Sequence, residues 1–145
     1  MAAKTVDREF ALLAIHPKYV DAIVEGKKRV EFRKTMFKKP VTDIVVYATA
    51  PIKLIVCHFR IESITIDEVD RLWDAYHNIG GIEFGEFFRY FSDNKIGVAI
   101  EIGNLSLLKK PFPIWKLDNN ITAPQSFVYL TGNQFNNINR RKLVS

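Results

Sequence analysis

Eight consecutive residues, Gly26-Lys27-Lys28-Arg29-Val30-Glu31-Phe32-Arg33, hold the densest set of groups able to do chemistry. Glu31 and Arg33 are two apart, so in an extended segment they share a face and the carboxylate can hold the guanidinium in place. An arginine fixed in this way is organised to grip a phosphate or a base edge through two parallel hydrogen bonds. Gly26 permits a sharp turn that delivers Lys28 to the mouth of that segment. A lysine desolvated there would have a lowered pKa and act as a base or nucleophile activator, with Glu31 orienting it or polarising a water. The plainer alternative is an ion-pair ladder worth about 0–1 kcal/mol. Strict alternation puts Lys28 and Glu31 on opposite faces, so a shared site requires the alternation to break just after Gly26.

Other polar groups extend the candidate set. Tyr47 and Thr49 alternate on one face of a segment that leads into the Ala50-Pro51 turn. Tyr47 can stack a base, a contact worth roughly 1–3 kcal/mol, or serve as a core tyrosine with its hydroxyl satisfied. Gln125 and Ser126 carry an amide and a hydroxyl suited to reading a base edge, or else form a polar turn. Trp73 recurs with Val69, Leu72 and Tyr76 at helical spacing, which points to packing. Cys57, the only cysteine, sits in an apolar run and reads as a small buried filler. His16, His58 and His77 fall in separate elements without metal-ligand spacing, and His16 and His58 read as structural. No nucleophile elbow, phosphate loop or zinc-binding pair is present, so neither a metal nor a cofactor is expected.

Charge is concentrated. The formal net charge is +5, yet Lys27, Lys28, Arg29, Arg33, Lys34, Lys38 and Lys39 against Glu31 give +6 between positions 27 and 39. Arg140, Arg141 and Lys142 add a second cluster. Such a patch is the footprint of a polyanion, most simply nucleic acid. The alternatives are a solvated strand edge guarded by lysines and a basic strand that docks an acidic protein.

The elements that must position these groups follow from periodicity. Residues 9–15 are apolar and strand-length, and His16-Pro17 opens a helix that Gly26 stops. Residues 29–33 alternate as a half-buried strand with Val30 and Phe32 inward. Residues 43–49 and 53–64 predict two more strands, the second bent near Arg60. Asp67 is placed to cap a helix over 68–77, Gly80-Gly81 breaks it, and another spans 83–91. A fifth strand covers 96–102, and 124–130 closes the domain. The whole reads as one α+β domain over residues 9–131, a small barrel of about five to six strands with two to three flanking helices, with loosely ordered tails at 1–8 and 132–145. An apolar share of 48% supports a packed core. A single thiol and the absence of an apolar leader or of a run long enough to span a bilayer predict a cytoplasmic protein.

The Gly-x-Lys-x-x-Glu-x-Arg pattern at Gly26, Lys28, Glu31 and Arg33 resembles the signature of ASCH domains, relatives of the PUA RNA-binding barrel. The resemblance runs from the Ile15-His16-Pro17-Lys18-Tyr19 helix opening through Val46-Tyr47-Ala48-Thr49-Ala50-Pro51 to Pro124-Gln125-Ser126-Phe127-Val128-Tyr129-Leu130, about residues 10–130. It implies a PUA-like barrel with a basic cleft that binds RNA or a nucleotide-like ligand, often in roles linked to translation or transcription. Some relatives are enzymes. One branch deacylates acetylated cytidine with the motif lysine and a threonine three residues on, where this chain has Glu31. Another cleaves single-stranded RNA with Tyr, Lys and Ser side chains, residue types found here at Tyr47, Lys53 and Ser126.

Overall fold

The computed structural model describes residues 7–140. In chain order it contains β1 (Phe10–Ile15), α1 (Pro17–Val24), β2 (Val30–Arg33), β3 (Asp43–Ala48), β4 (Leu54–Glu68), α2 (Val69–Tyr76), α3 (Phe84–Phe91), β5 (Ile96–Phe112), β6 (Phe127–Leu130) and α4 (Gly132–Asn139), with a 3-10 turn at Ile114–Lys116. The strands form one sheet in the order β2-β5-β4-β3-β1-β6. Only β1 and β3 run parallel, because α1 and β2 cross between them.

β1 and β3 are buried on both faces, which is why their sequences are nearly continuous apolar runs. One face, with Leu13, Ile44, Val46 and Phe59, packs against Val20 and Ile23 of α1. The other, with Leu12, Val45 and Ile55, packs against Phe135 and Ile138 of α4. A third cluster joins Val30 and Phe32 of β2 to Leu72 of α2 and to Phe87 and Phe91 of α3. Cys57 is a buried filler, its thiol pushed up to about 12 by burial. Trp73 packs on Phe84, Phe87 and Phe88.

β4 and β5 slip register between Ile55 and Cys57, between Phe59 and Ile61 and between Ile61 and Ser63, irregularities that bend a strand and raise its twist. The bend expected near Arg60 falls among them. The curl brings the sheet's two edges together. No backbone ladder joins β2 to β6 among the described residues. Side chains do it instead: Arg33 of β2 donates to Ser126, just before β6. The Tyr129 hydroxyl accepts the backbone N–H groups of Lys38 and Lys39 at 2.9 and 3.3 Å. The expected barrel is thus a curled α+β sheet of six strands with an edge seam made of side chains.

Several boundaries differ from expectation. β5 runs to Phe112 because half-buried residues continue its pairing with β4 well past Ile102. α2 starts at Val69 rather than Glu68, which ends β4, and the Asp67 carboxylate accepts the Glu68 N–H at 2.7 Å instead of capping the helix. The stretch 132–139 is ordered as a helix rather than loose. Residues Gly132–Asn139 form α4, started by a reciprocal capping box between Thr131 and Gln134, and bury Phe135 and Ile138. The Asn-rich composition hid two apolar anchors three residues apart. The rest of the expected tails, residues 1–6 and 141–145, with Arg141 and Lys142, lies outside the described residues.

Candidate functional site

α1 ends in a Schellman turn: Gly26 N–H bonds the Ile23 carbonyl at 3.0 Å and Lys27 N–H bonds the Ala22 carbonyl at 2.9 Å. Gly26 sits at φ +80°, the left-handed conformation that this turn demands. Lys28 N–H also bonds the Ala22 carbonyl, so its backbone still belongs to the helix end and β2 starts only at Val30. That is the required break in alternation. Lys28 and Glu31 therefore face the same cavity rather than opposite sides of a strand.

The cavity holds about 230 Å³ and is lined by Ala14, Ile15, His16, Tyr19, Lys28, Glu31, Phe32, Arg33, Ile82 and Tyr90. Lys28 is 3% exposed and Glu31 6%, so both need partners. Lys28 Nζ donates to the Gly80 carbonyl at 2.7 Å and lies 3.8 Å from Glu31 Oε1. The rings of Tyr19 and Phe32 flank the ammonium at 5.2 and 5.1 Å, within cation–π range. Burial lowers the Lys28 pKa from the ordinary lysine value, and the Glu31 carboxylate opposes part of that shift.

The Gly80 carbonyl reaches Lys28 because the α2–α3 connection lies flat on it. Gly81 is at φ +59°, and a Cβ there would stand 2.5 Å from Lys28 Cβ. The same connection accepts the Arg29 N–H at the Ile79 carbonyl, 2.7 Å away. A helix break legible in the sequence is thus also part of the site wall.

Arg33 acts as a tie. Its Nη1 donates to Glu31 Oε2 at 3.0 Å, and its Nη2 donates to Ser126 Oγ at 2.6 Å and to the Ser126 carbonyl at 3.3 Å. The Ser126 carbonyl also accepts the Ala14 N–H at 2.9 Å, which fixes it beside β1. Lys28, Glu31, Arg33 and Ser126 therefore belong to one connected group.

Thr49, Lys53, Gln125 and Tyr47 do not line this cavity. Tyr47 is buried with Leu12, Val45 and Ile55 on the α4 side, and burial raises its pKa. Thr49 donates its N–H to the Ile15 carbonyl at 3.0 Å, and its own carbonyl closes the turn that holds exposed Lys53 at φ +56°. Gln125 is exposed next to Ser126.

Sequence reasoning missed His16, Tyr19 and Tyr90 on the cavity wall. His16 is exposed and caps α1, its Nδ1 accepting the Lys18 N–H at 3.1 Å. The Tyr19 hydroxyl donates to Glu86 of α3, which also takes Lys18 Nζ at 2.6 Å. Burial and that acidic partner both push the Tyr19 pKa well up. The only signal for Tyr19 was its place in the helix opening; Tyr90 gave none. Tyr90 connects the cavity to the basic run, because Lys34 Nζ lies 5.0 Å from its ring.

The fold and the motif geometry define one family. The ASCH domain profile matches residues 13–106, and the chain belongs to that family. The crystal structure of ASCH from Zymomonas mobilis superposes with a TM-score of 0.82 at 26% identity, covering 90% of this chain and 93% of that one. Structures of a serine-to-alanine and a tyrosine-to-phenylalanine variant of the same protein superpose at 0.81. The chain is 28% identical over 128 residues to the ASCH domain-containing ribonuclease of Zymomonas mobilis, 86% of each chain. It is also 25% identical over 130 residues to ATP synthase subunit alpha of Ureaplasma parvum, spanning 89% of this chain but 16% of that protein.

Proposed function

We propose that the protein binds single-stranded RNA, with one nucleotide seated in the cavity and the neighbouring phosphates held by the basic run from Lys34 to Lys39. The observation that carries this reading is the convergence of Lys28, Glu31 and Arg33 on one cavity whose rim residue Tyr90 touches Lys34. At about 230 Å³ the cavity is smaller than the roughly 300–1,000 Å³ of pockets for drug-sized ligands. It suits one base or nucleoside, and it is too small for a helical stretch. No described helix is long and apolar enough to cross a membrane. We place the protein in the cytoplasm, where RNA and a free thiol are both at home. Filter binding against short single-stranded and duplex RNA tests the reading. Single strands should bind at low salt and weaken steadily as salt rises; no detectable binding at low salt refutes it.

A second reading is RNA cleavage. It is favoured by the 28% identity, over 86% of both chains, to a protein called a ribonuclease. In it Lys28, whose pKa burial lowers, takes the proton and Glu31 orients it. Of the residue types of the ribonuclease branch, Ser126 joins this group through Arg33, whereas Tyr47 and Lys53 lie off the cavity, so the reading rests on Lys28 and Glu31. Labelled RNA incubated with the wild type and with Lys28→Ala decides it: turnover untouched by the substitution rules this mechanism out.

A further inference from the structure

Glu31 presents the cavity with an oxygen, Oε1, whose partner among the described residues is the Lys28 ammonium in a loose ion pair at 3.8 Å. Oε2 accepts from Arg33 at 3.0 Å. At 3.8 Å the Lys28 Nζ is beyond ordinary hydrogen-bond length from Oε1, which leaves that oxygen capacity for a donor from a ligand. A carboxylate oxygen with spare capacity on a pocket wall repels a phosphate and asks for a donor. Lys28 uses one N–H on Gly80 and has two more. Arg33 uses Nη1 on Glu31 and Nη2 on Ser126, and its five N–H groups exceed those contacts. The three side chains thus stand as donor, acceptor, donor along the cavity. Two are pinned by a partner outside the array, Lys28 by Gly80 and Arg33 by Ser126, and Glu31 is held by Arg33 within it.

The complementary ligand edge reads acceptor, donor, acceptor. Among the four RNA bases that is the Watson–Crick edge of uracil, carbonyl, N–H, carbonyl. Cytosine offers donor, acceptor, acceptor; adenine offers an amino donor beside a ring nitrogen; guanine ends in a second donor. The aromatic walls Tyr19, Phe32 and Tyr90 suit a flat ring better than a ribose. We propose that the Lys28–Glu31–Arg33 array selects an unpaired uracil by its Watson–Crick edge, the phosphates remaining outside on the lysine run. This rests on the RNA-binding reading above and adds to it a chemical class of base and a specificity-determining role for Glu31.

Fluorescence anisotropy with labelled oligouridylate, oligocytidylate and oligo-3-methyluridylate of one length tests it, since all three carry the same phosphate charge. Oligouridylate should bind about tenfold or more tighter than either of the others. Methylation at N3 removes the one N–H that Glu31 can accept. Glu31→Gln, whose amide both donates and accepts, should cut the uridylate-to-cytidylate ratio below about threefold. If that variant does not fold, the three ligands on the wild type still decide. Equal, salt-sensitive affinity for all three overturns the uracil assignment and leaves RNA binding standing, as does tighter binding of oligocytidylate. No binding of any RNA at low salt overturns both.

Discussion

Arg33, on the edge strand β2, donates to the Ser126 hydroxyl at 2.6 Å across a sheet edge that no backbone ladder closes. The same guanidinium holds Glu31 at 3.0 Å. One side chain therefore sets the seam of the barrel and the orientation of the cavity's acceptor. The group that shapes recognition is also the group that keeps the two edges together.

Removing it should cost stability as well as binding. Arg33→Ala strips a buried carboxylate of its hydrogen-bonded partner, a loss of about 3–5 kcal/mol at fully buried sites and somewhat less here, where the Arg33 side chain is 15% exposed. Ser126→Ala removes only a hydroxyl acceptor and should cost about 1 kcal/mol. Urea unfolding of both variants measures the difference. Similar midpoints for the two would show that the seam does not depend on the Glu31–Arg33 pair.

Two glycines with positive φ should respond very differently to alanine. Gly26 at φ +80° has nothing within 4 Å of a built Cβ, so Gly26→Ala meets only the left-handed backbone cost, about 1–2 kcal/mol. Gly81→Ala adds a Cβ 2.5 Å from Lys28 Cβ and 2.8 Å from its Cα. The connection must lift, and the Gly80 carbonyl leaves the ammonium. We expect Gly81→Ala to be clearly the more destabilising in thermal unfolding and to weaken RNA binding, while Gly26→Ala leaves affinity near the wild type. Equal affinities would separate Gly80 from the site.

Much of this was legible in the sequence, and the gaps have physical causes. The strand at 29–33, the helix stop at Gly26 and the burial of Cys57 are local matters of periodicity and backbone freedom. The Lys28–Glu31–Arg33 group was legible as a motif, and the break in alternation that it requires comes from the Schellman turn. Tyr90 was not legible, because its place on the cavity depends on how α3 crosses β2, a tertiary fact without a local signature. Tyr47 illustrates the opposite limit. The expected alternation with Thr49 stops short because β3 ends at Ala48 and Thr49 enters the turn, and β3 is covered on both faces, so a polar-looking face turned out to be core. The α4 helix was missed because composition outweighed two apolar positions that matter only once a sheet face is there to receive them.

His58 makes stability depend on acid. It is buried on the α4 side against the Phe135 ring, and among the described residues its Nε2 has no hydrogen-bond partner. Burial lowers its pKa below the ordinary 6.5; Asp43 opposes that shift and Arg8, paired to Asp43 at 2.6 Å, adds to it. With the folded pKa below the unfolded one, the unfolded chain binds the proton more readily. Stability therefore falls as pH drops from about 6.5 toward the lowered value and is recovered above 6.5. His58→Phe should flatten that part of a stability-against-pH curve measured by urea unfolding. An unchanged acid slope would assign the effect to other groups.

The lysines beyond β2 should supply attraction without selectivity. Lys34 and Lys39 are exposed and lie over the rings of Tyr90 and Tyr129 at 5.0 and 4.8 Å, Lys34 beside the cavity rim and Lys39 at the β6 edge. Lys38 and Lys39 stay in place because the Tyr129 hydroxyl accepts their backbone N–H groups, which survives truncation of the side chains. The triple variant K34A/K38A/K39A should therefore fold normally. Each phosphate left without its lysine should reduce the salt slope of single-strand binding by about 0.7, so the variant's slope should be shallower by up to about 2. Affinity should drop by the same factor for every RNA sequence, because these groups meet phosphates and not bases. A variant with the wild-type salt slope would move the phosphate path elsewhere on the surface. One that loses affinity for a single sequence only would show these lysines reading bases.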